Sequence, residues 1–170
     1  MTARGNWYEW PFAPLPVFRA LNKCGVEYVL IGGLAAVLQG SPLPTYDIDI
    51  ALSTSASNLS RFHAALDHLN AVVLGDVHDL RQALIDGKVV SFSTRFGYID
   101  AISTPAGFDS YASLRRGARH LTLEPDLDVP CSPLRDILRS RIAAGDLRQL
   151  PALEAALELS ARLASPPPAL

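Results

Sequence analysis

Val29-Leu30-Ile31-Gly32-Gly33-Leu34-Ala35-Ala36, followed by Thr45-Tyr46-Asp47-Ile48-Asp49-Ile50, is the stretch on which the fold turns. Val26 to Ile31 is a short, mostly apolar run of strand length. Gly32-Gly33 interrupts it, and Leu34 to Gln39 reads as a helix. Asp47 to Leu52 reads as a second strand, with Ile48, Ile50 and Leu52 alternating against Asp47, Asp49 and Ala51. Residues i and i+2 of a strand point to the same side, so the two aspartates share a face while the isoleucines turn to the core. Two neighbouring carboxylates repel each other and favour a divalent cation between them. Magnesium suits such a pair, because it takes oxygen from one or two carboxylates and from substrate phosphates. An Asp-x-Asp alone is weak evidence, since many such pairs only end a strand or cap a turn.

Asp100 strengthens it. This residue lies in Tyr98-Ile99-Asp100-Ala101-Ile102, a polar position inside an apolar strand. A carboxylate there is costly unless paired, solvated or bound to metal. A neighbouring antiparallel strand would bring it beside Asp47 and Asp49, and three carboxylates would hold two ions suited to phosphoryl displacement. Asp100 would then accept the proton of an incoming hydroxyl. The plainer alternative is an edge-strand aspartate facing water. Gly32-Gly33 would let the backbone approach a phosphate at a helix N-terminus, although strand-Gly-Gly-helix is also an ordinary reversal. The chain has no Gly-Lys-Ser/Thr, no G-x-G-x-x-G and no G-x-S-x-G, which argues against a P-loop, a dinucleotide fold and a hydrolase elbow.

Outward from these motifs the order of elements is mixed α/β, followed by C-terminal helices. Helical spacing runs from Pro16 to Cys24, and from a cap at Ser57 or Asn58 to about Leu69. Lys88 to Thr94 and Tyr98 to Ile102 read as strands about a turn, and Ala106 to Arg115 as a helix. One or two short strands fall within 119–130. A helix starts at Ser132 with Pro133 in its first turn and closes at Gly145, and Pro151 to Leu163 is a last amphipathic helix. The expected organisation is an arm over 1–14 carrying Trp7, Trp10 and Phe12, a core over 15–130, a helical segment over 131–164, and a disordered tail over 165–170.

With 170 residues, 49% apolar and 19% charged, the chain suits one compact domain that folds without staples. The net charge of −2 is uninformative, but Arg115, Arg116 and Arg119 cluster, and Arg135, Arg139, Arg141 and Arg148 follow. Such a face would attract a polyanion, and a solvated surface is the plainer account. Cys24 and Cys131 form no C-x-x-C pair, and the four histidines lack metal-ligand spacing. No signal peptide and no run of ~20 apolar residues is found, so the expected address is the cytoplasm, with both thiols reduced.

The ordered set Gly32-Gly33, Gly40-Ser41-Pro42, Asp47-x-Asp49 and a later strand aspartate resembles the polymerase-β-like nucleotidyltransferases. Within that superfamily the chain looks most like the bacterial AbiEii/MenT-type toxins of toxin–antitoxin systems. The resemblance implies a polymerase-β-like core that transfers an NMP from an NTP to an acceptor hydroxyl, plausibly the 3′ end of tRNA. It implies magnesium, with manganese as the alternative, on Asp47, Asp49 and Asp100. It implies a nucleotide-binding set of Gly32, Gly33, Thr45 and Arg141, and an antitoxin protein as partner. Leu134 to Leu147 is similar to the family's C-terminal helix. Relatives carry a phosphate-holding lysine where Arg141 stands, and an arginine near Leu43. They also have a longer segment before the aspartate that would correspond to Asp146. Phosphorylation of Thr45 would add about −1.5 to −2 charges beside the metal carboxylates and block NTP binding, a turn threonine being the simpler reading. The other functions to weigh are nucleotidylation of a protein or small molecule, and a degenerate domain that binds without turnover.

Overall fold

The computed structural model describes residues 12–164. Seven strands form one mixed sheet: β1 (Tyr28–Leu30), β2 (Asp47–Leu52), β3 (Val72–Val73), β4 (Val90–Thr94), β5 (Gly97–Ile102), β6 (Arg119–Glu124) and β7 (Leu127–Cys131). Among the described residues seven helices accompany them: α1 (Pro14–Lys23), α2 (Gly32–Val37), α3 (Ala56–His68), α4 (Leu80–Ile85), α5 (Tyr111–Gly117), α6 (Leu134–Ala143) and α7 (Leu150–Ala164). The strand order is β3-β4-β5-β2-β1-β7-β6. The expected mixed α/β architecture with C-terminal helices is therefore present. Among the described residues, no helix is long and apolar enough to cross a membrane.

Alternation in the strands divides the interior into two parts. Tyr28, Leu30, Ile48, Ile50, Leu52 and Ile99 are buried in the main cluster, which packs Phe18 and Leu21 of α1 and Phe62 and Leu66 of α3. Each fully buried side chain of this size contributes about 1.5–3 kcal/mol. The same cluster reaches Leu134 and Ile137 of α6 and Leu153 and Ala156 of α7, so the C-terminal helices are continuous with the core. Val29 and Ala51, on alternate positions, join a small second cluster with Leu114 of α5, flanked by Ile31, Ile102 and Phe108. Asp47 and Asp49 lie on that second face, in line with Ala51.

One pairing corrects the sequence expectation. The neighbour of β2 that carries Asp100 is parallel to it, not antiparallel, with Asp49 opposite Asp100 and Asp47 opposite Tyr98. Parallel pairing needs a long crossover, and residues 53–96 supply it through α3, β3, α4 and β4. The hairpin partner of β5 is β4, so β5 is an interior strand and Asp100 is not at an edge.

Smaller differences have local causes. The helix expected at 106–115 starts later, because Gly107 has a φ of 82° and Ser110 supplies the N-cap by accepting from the Ser113 N–H. The N-cap of α3 is Ser55 rather than Ser57 or Asn58. Both glycines fall inside α2 rather than before it. Phe12 packs on Gly97, and the Ala13 N–H donates to the Phe96 carbonyl. Trp7, Trp10 and the tail over 165–170 lie outside the described residues.

Asn58 is freed from capping for another task. It is fully buried, accepts from the Glu27 N–H at 2.6 Å, and donates to the carbonyls of Glu27 and Ser53 at 2.9 Å each. It thereby ties the entry of β1 to the exit of β2. Replacing it by alanine strands the Glu27 N–H and the Ser53 carbonyl and leaves the Glu27 carbonyl only the Ser53 N–H at 3.3 Å. Asn58→Ala should lower unfolding free energy by about 3 kcal/mol, read from urea denaturation. A loss below about 1 kcal/mol would mean that water replaces the amide.

Candidate active site

Asp47, Asp49 and Asp100 each offer a carboxylate oxygen within 4.8 Å of the others. The strand register explains the cluster. Alternation aims Asp47 and Asp49 the same way, and parallel pairing sets Asp100 beside Asp49. All three are partly exposed. The cluster is not neutralised by its neighbours: burial and then the charges of Asp47 and Asp100 push the Asp49 carboxyl up to about 7, against a smaller opposing effect of the Gly33 N–H and Arg141. Three oxygen donors this close, with a shifted acid at the centre, fit a divalent cation of the magnesium type.

The two glycines serve this cluster directly. Gly32 has a φ of 66°, and a Cβ there would lie 2.0 Å from Asp49 Oδ2. The missing side chain leaves the space in which the carboxylate sits. A Cβ on Gly33 would lie 2.8 Å from Thr45 Oγ1, and the Gly33 N–H points at Asp49 Oδ2 at 3.4 Å. Thr45 in turn donates its hydroxyl to Asp47 Oδ1 at 2.6 Å. The glycine pair, the threonine and the two strand aspartates are thus one interlocked unit. Sequence reading selected all of them but did not see that they touch.

Two cavities flank the cluster and share Asp49 and Arg141. The larger, of about 480 Å³, is lined by Gly33, Ser41, Leu43, Thr45, Asp47 and Gln149 among others. The smaller, of about 210 Å³, has Ile31, Gly32, Pro105, Phe108, Leu114 and Ile137 in its wall, together with Asp136 and Asp146. Arg141 is the cation at the junction. It donates to Asp146 at 2.5 Å, and Arg148 donates to the same carboxylate at 3.2 Å. Arg148 and Arg141 hold the Asp146 carboxyl below its usual range. Asp146 therefore meets the site through Arg141 despite the shortened segment. Leu43 lines the larger cavity as an apolar residue where relatives of the resembled family carry an arginine.

Phe108, Asp136 and Ser140 were not singled out from sequence. They belong to the wall of the smaller cavity, brought there by the loop after β5 and by one side of α6. Asp136 and Ser140 stand four apart, the spacing of one helix face.

Two outcomes are expected. Gly32→Ala should keep the fold but displace the Asp49 carboxylate, lowering magnesium affinity and any metal-dependent turnover at least about a hundredfold; isothermal titration with magnesium checks it, and unchanged affinity would overturn it. The second concerns pH. The raised folded-state value means that, without metal, Asp49 contributes stability fully below the unfolded value of 3.8, and this is lost as pH rises through about 7. Magnesium competes with that proton, so the magnesium-induced rise in Tm should be small below pH about 7 and grow above it. Equal rises on both sides would contradict the linkage.

No protein-family model and no curated protein matches the sequence. Solved structures do match the fold. A lincosamide antibiotic adenylyltransferase, LnuA, bound to lincomycin, aligns at a TM-score of 0.57 and 18% identity, covering 82% of this chain and 93% of that one. A candidate nucleotidyltransferase from Thermotoga maritima aligns at 0.56 and 14% identity, covering 84% and 89%. The antibiotic-resistance factor ANT(2'')-Ia in solution aligns at 0.50 and 14% identity, covering 88% and 90%. The chain thus shares its fold with nucleotidyltransferases over most of its length and most of theirs.

Proposed function

We propose that this chain is a metal-dependent nucleotidyltransferase that moves an NMP from an NTP to an acceptor hydroxyl. The observation that carries this reading is the acidic cluster of Asp47, Asp49 and Asp100, interlocked with the Gly32-Gly33 turn in a nucleotidyltransferase fold. A module that only binds a partner has no need for three clustered carboxylates beside two cavities, one of them shared by both, which disfavours the degenerate alternative.

The roles follow from the geometry. The larger cavity falls in the range of ~300–1,000 Å³ typical of small-ligand sites, and its Ser41, Gln149 and Arg141 offer donors for a triphosphate. Arg141 holds a phosphate oxygen, exchanging Asp146 for it. Thr45 orients Asp47 through its hydroxyl. Asp100 receives the proton of the acceptor hydroxyl as its oxygen bonds to the α-phosphorus and pyrophosphate leaves. A divalent cation on the three aspartates would neutralise the charge developing on the phosphoryl oxygens.

The proposed acceptor is the 3′ end of tRNA, and the proposed role is that of a toxin held in check by an antitoxin protein in the cytoplasm. The toxin assignment rests on the motif resemblance. The RNA assignment has a further support: Arg115, Arg116, Arg119, Arg135 and Arg139 are all exposed, on and beside α5 and α6. A second reading, in which the acceptor is a hydroxylated small molecule, is favoured by the antibiotic-modifying neighbours in fold.

Incubation with each α-labelled NTP and magnesium should label deacylated tRNA. Periodate oxidation of the tRNA terminus, or the Asp47→Ala/Asp49→Ala double variant, should abolish the label. Label on lysate protein or on an aminoglycoside or lincosamide would replace the acceptor. Folded protein that consumes no NTP would remove the enzyme assignment.

A further inference from the structure

We infer that the smaller cavity, beside the aspartate cluster, is the acceptor subsite and takes the terminal nucleoside of a single-stranded RNA end, with arginines of α5 and α6 holding the phosphates behind it. The inference rests on the nucleotidyltransferase reading and names which cavity receives which substrate.

Size is the first argument. At about 210 Å³ the cavity is below the ~300–1,000 Å³ of drug-sized ligand sites. It suits one ring system and its sugar better than a whole NTP or an antibiotic. The larger cavity, with the serine, glutamine and arginine donors, is left for the triphosphate.

Lining chemistry is the second. Ile31, Pro105, Leu114 and Ile137 make the cavity wall apolar, and Phe108 adds a partly exposed aromatic ring. The Arg139 guanidinium lies over that ring at 4.7 Å from its centroid. An aromatic face with a stacked guanidinium is the surface on which unpaired bases settle. The loop packs closely on α6 here: a Cβ on Gly107 would lie 3.1 Å from Ala143 Cβ and 3.4 Å from Arg139 Cγ.

Charge is the third. The helices that supply Leu114 and Ile137 to the wall also carry exposed Arg115, Arg116, Arg135 and Arg139. Three carboxylates face the cavity as well: Asp146 is held by Arg141 and Arg148, and Asp136 lies 4.0 Å from Arg135, at the limit of an ion pair. The third, Asp49, faces the metal position. An apolar aromatic hollow beside a guanidinium-rich surface fits a base followed by a phosphodiester chain. A cationic small molecule would instead be drawn to the cavity's aspartates and would leave the arginines outside it unused.

The test is transfer kinetics of labelled NTP onto deacylated tRNA, varying each substrate at saturating levels of the other. Phe108→Ala should raise the KM for tRNA about tenfold or more while the KM for NTP changes less than about twofold. Phe108→Leu keeps the apolar volume without the aromatic face and should show the same split, which separates lost stacking from lost folding. The Arg135→Gln/Arg139→Gln double variant should flatten the slope of log kcat/KM against log salt by about one to two. A rise in the NTP KM with tRNA unaffected would put the incoming nucleobase in this cavity and overturn the inference alone. Unchanged values for both substrates would overturn it too. Wild-type protein that labels no RNA would sink the RNA reading, and this inference with it.

Discussion

Parallel pairing of β2 with β5 forces Asp49 against Asp100, and strand alternation adds Asp47 to the same face. The rest of the site answers the repulsion that this creates. Glycine at 32 leaves the space for the Asp49 carboxylate, the Gly33 N–H faces one of its oxygens, and the Thr45 hydroxyl occupies an oxygen of Asp47. None of these contacts cancels a full charge. The fold tolerates the cluster because the opposite face of the same strands is deeply buried, with Ile48, Ile50 and Ile99 inaccessible to water. Hydrophobic burial on one side of the sheet offsets electrostatic strain on the other.

The second sheet face is organised as a gradient. At one end Val29 and Ala51 are sealed beneath Leu114 of α5. At the other, two positions along β2, the carboxylates open into two cavities with Arg141 between them. α6 is the element that connects the parts. Its Ile137 belongs to the main core, its Asp136, Ser140 and Arg141 reach the cavities, and its Arg139 lies over Phe108. Anything that tilts α6 therefore acts on both cavities at once.

Much of this was legible in the sequence, for identifiable reasons. The i, i+2 spacing of Asp47 and Asp49 is a purely local property, so their shared face was readable without tertiary information. Asp100 stood out as a carboxylate in an apolar run. Its direction of approach was not readable, because register and orientation between distant strands depend on the crossover through 53–96. Within that crossover, β3 has two residues and α4 six, too few for any periodicity to register. Gly32 and Gly33 were selected for their backbone freedom, whereas the side chains that press on them come from residues 45 and 49. Phe108 gave no signal, since its place in a cavity wall depends on a loop packed against a helix some thirty positions later.

The internal pairing of Arg141 has a thermodynamic corollary. An unpaired guanidinium would attract any passing anion, and chloride or orthophosphate would compete with substrate on nearly equal terms. Here Asp146 already occupies it, so an incoming anion gains only the difference between itself and a carboxylate held in place by the fold. Singly charged ions gain almost nothing from that exchange, while the polyphosphate of the proposed reaction, carried with its cation, would gain at several points together. In the proposed reaction the bond that weakens absolute affinity would thereby sharpen discrimination by valence, without any moving part larger than one side chain.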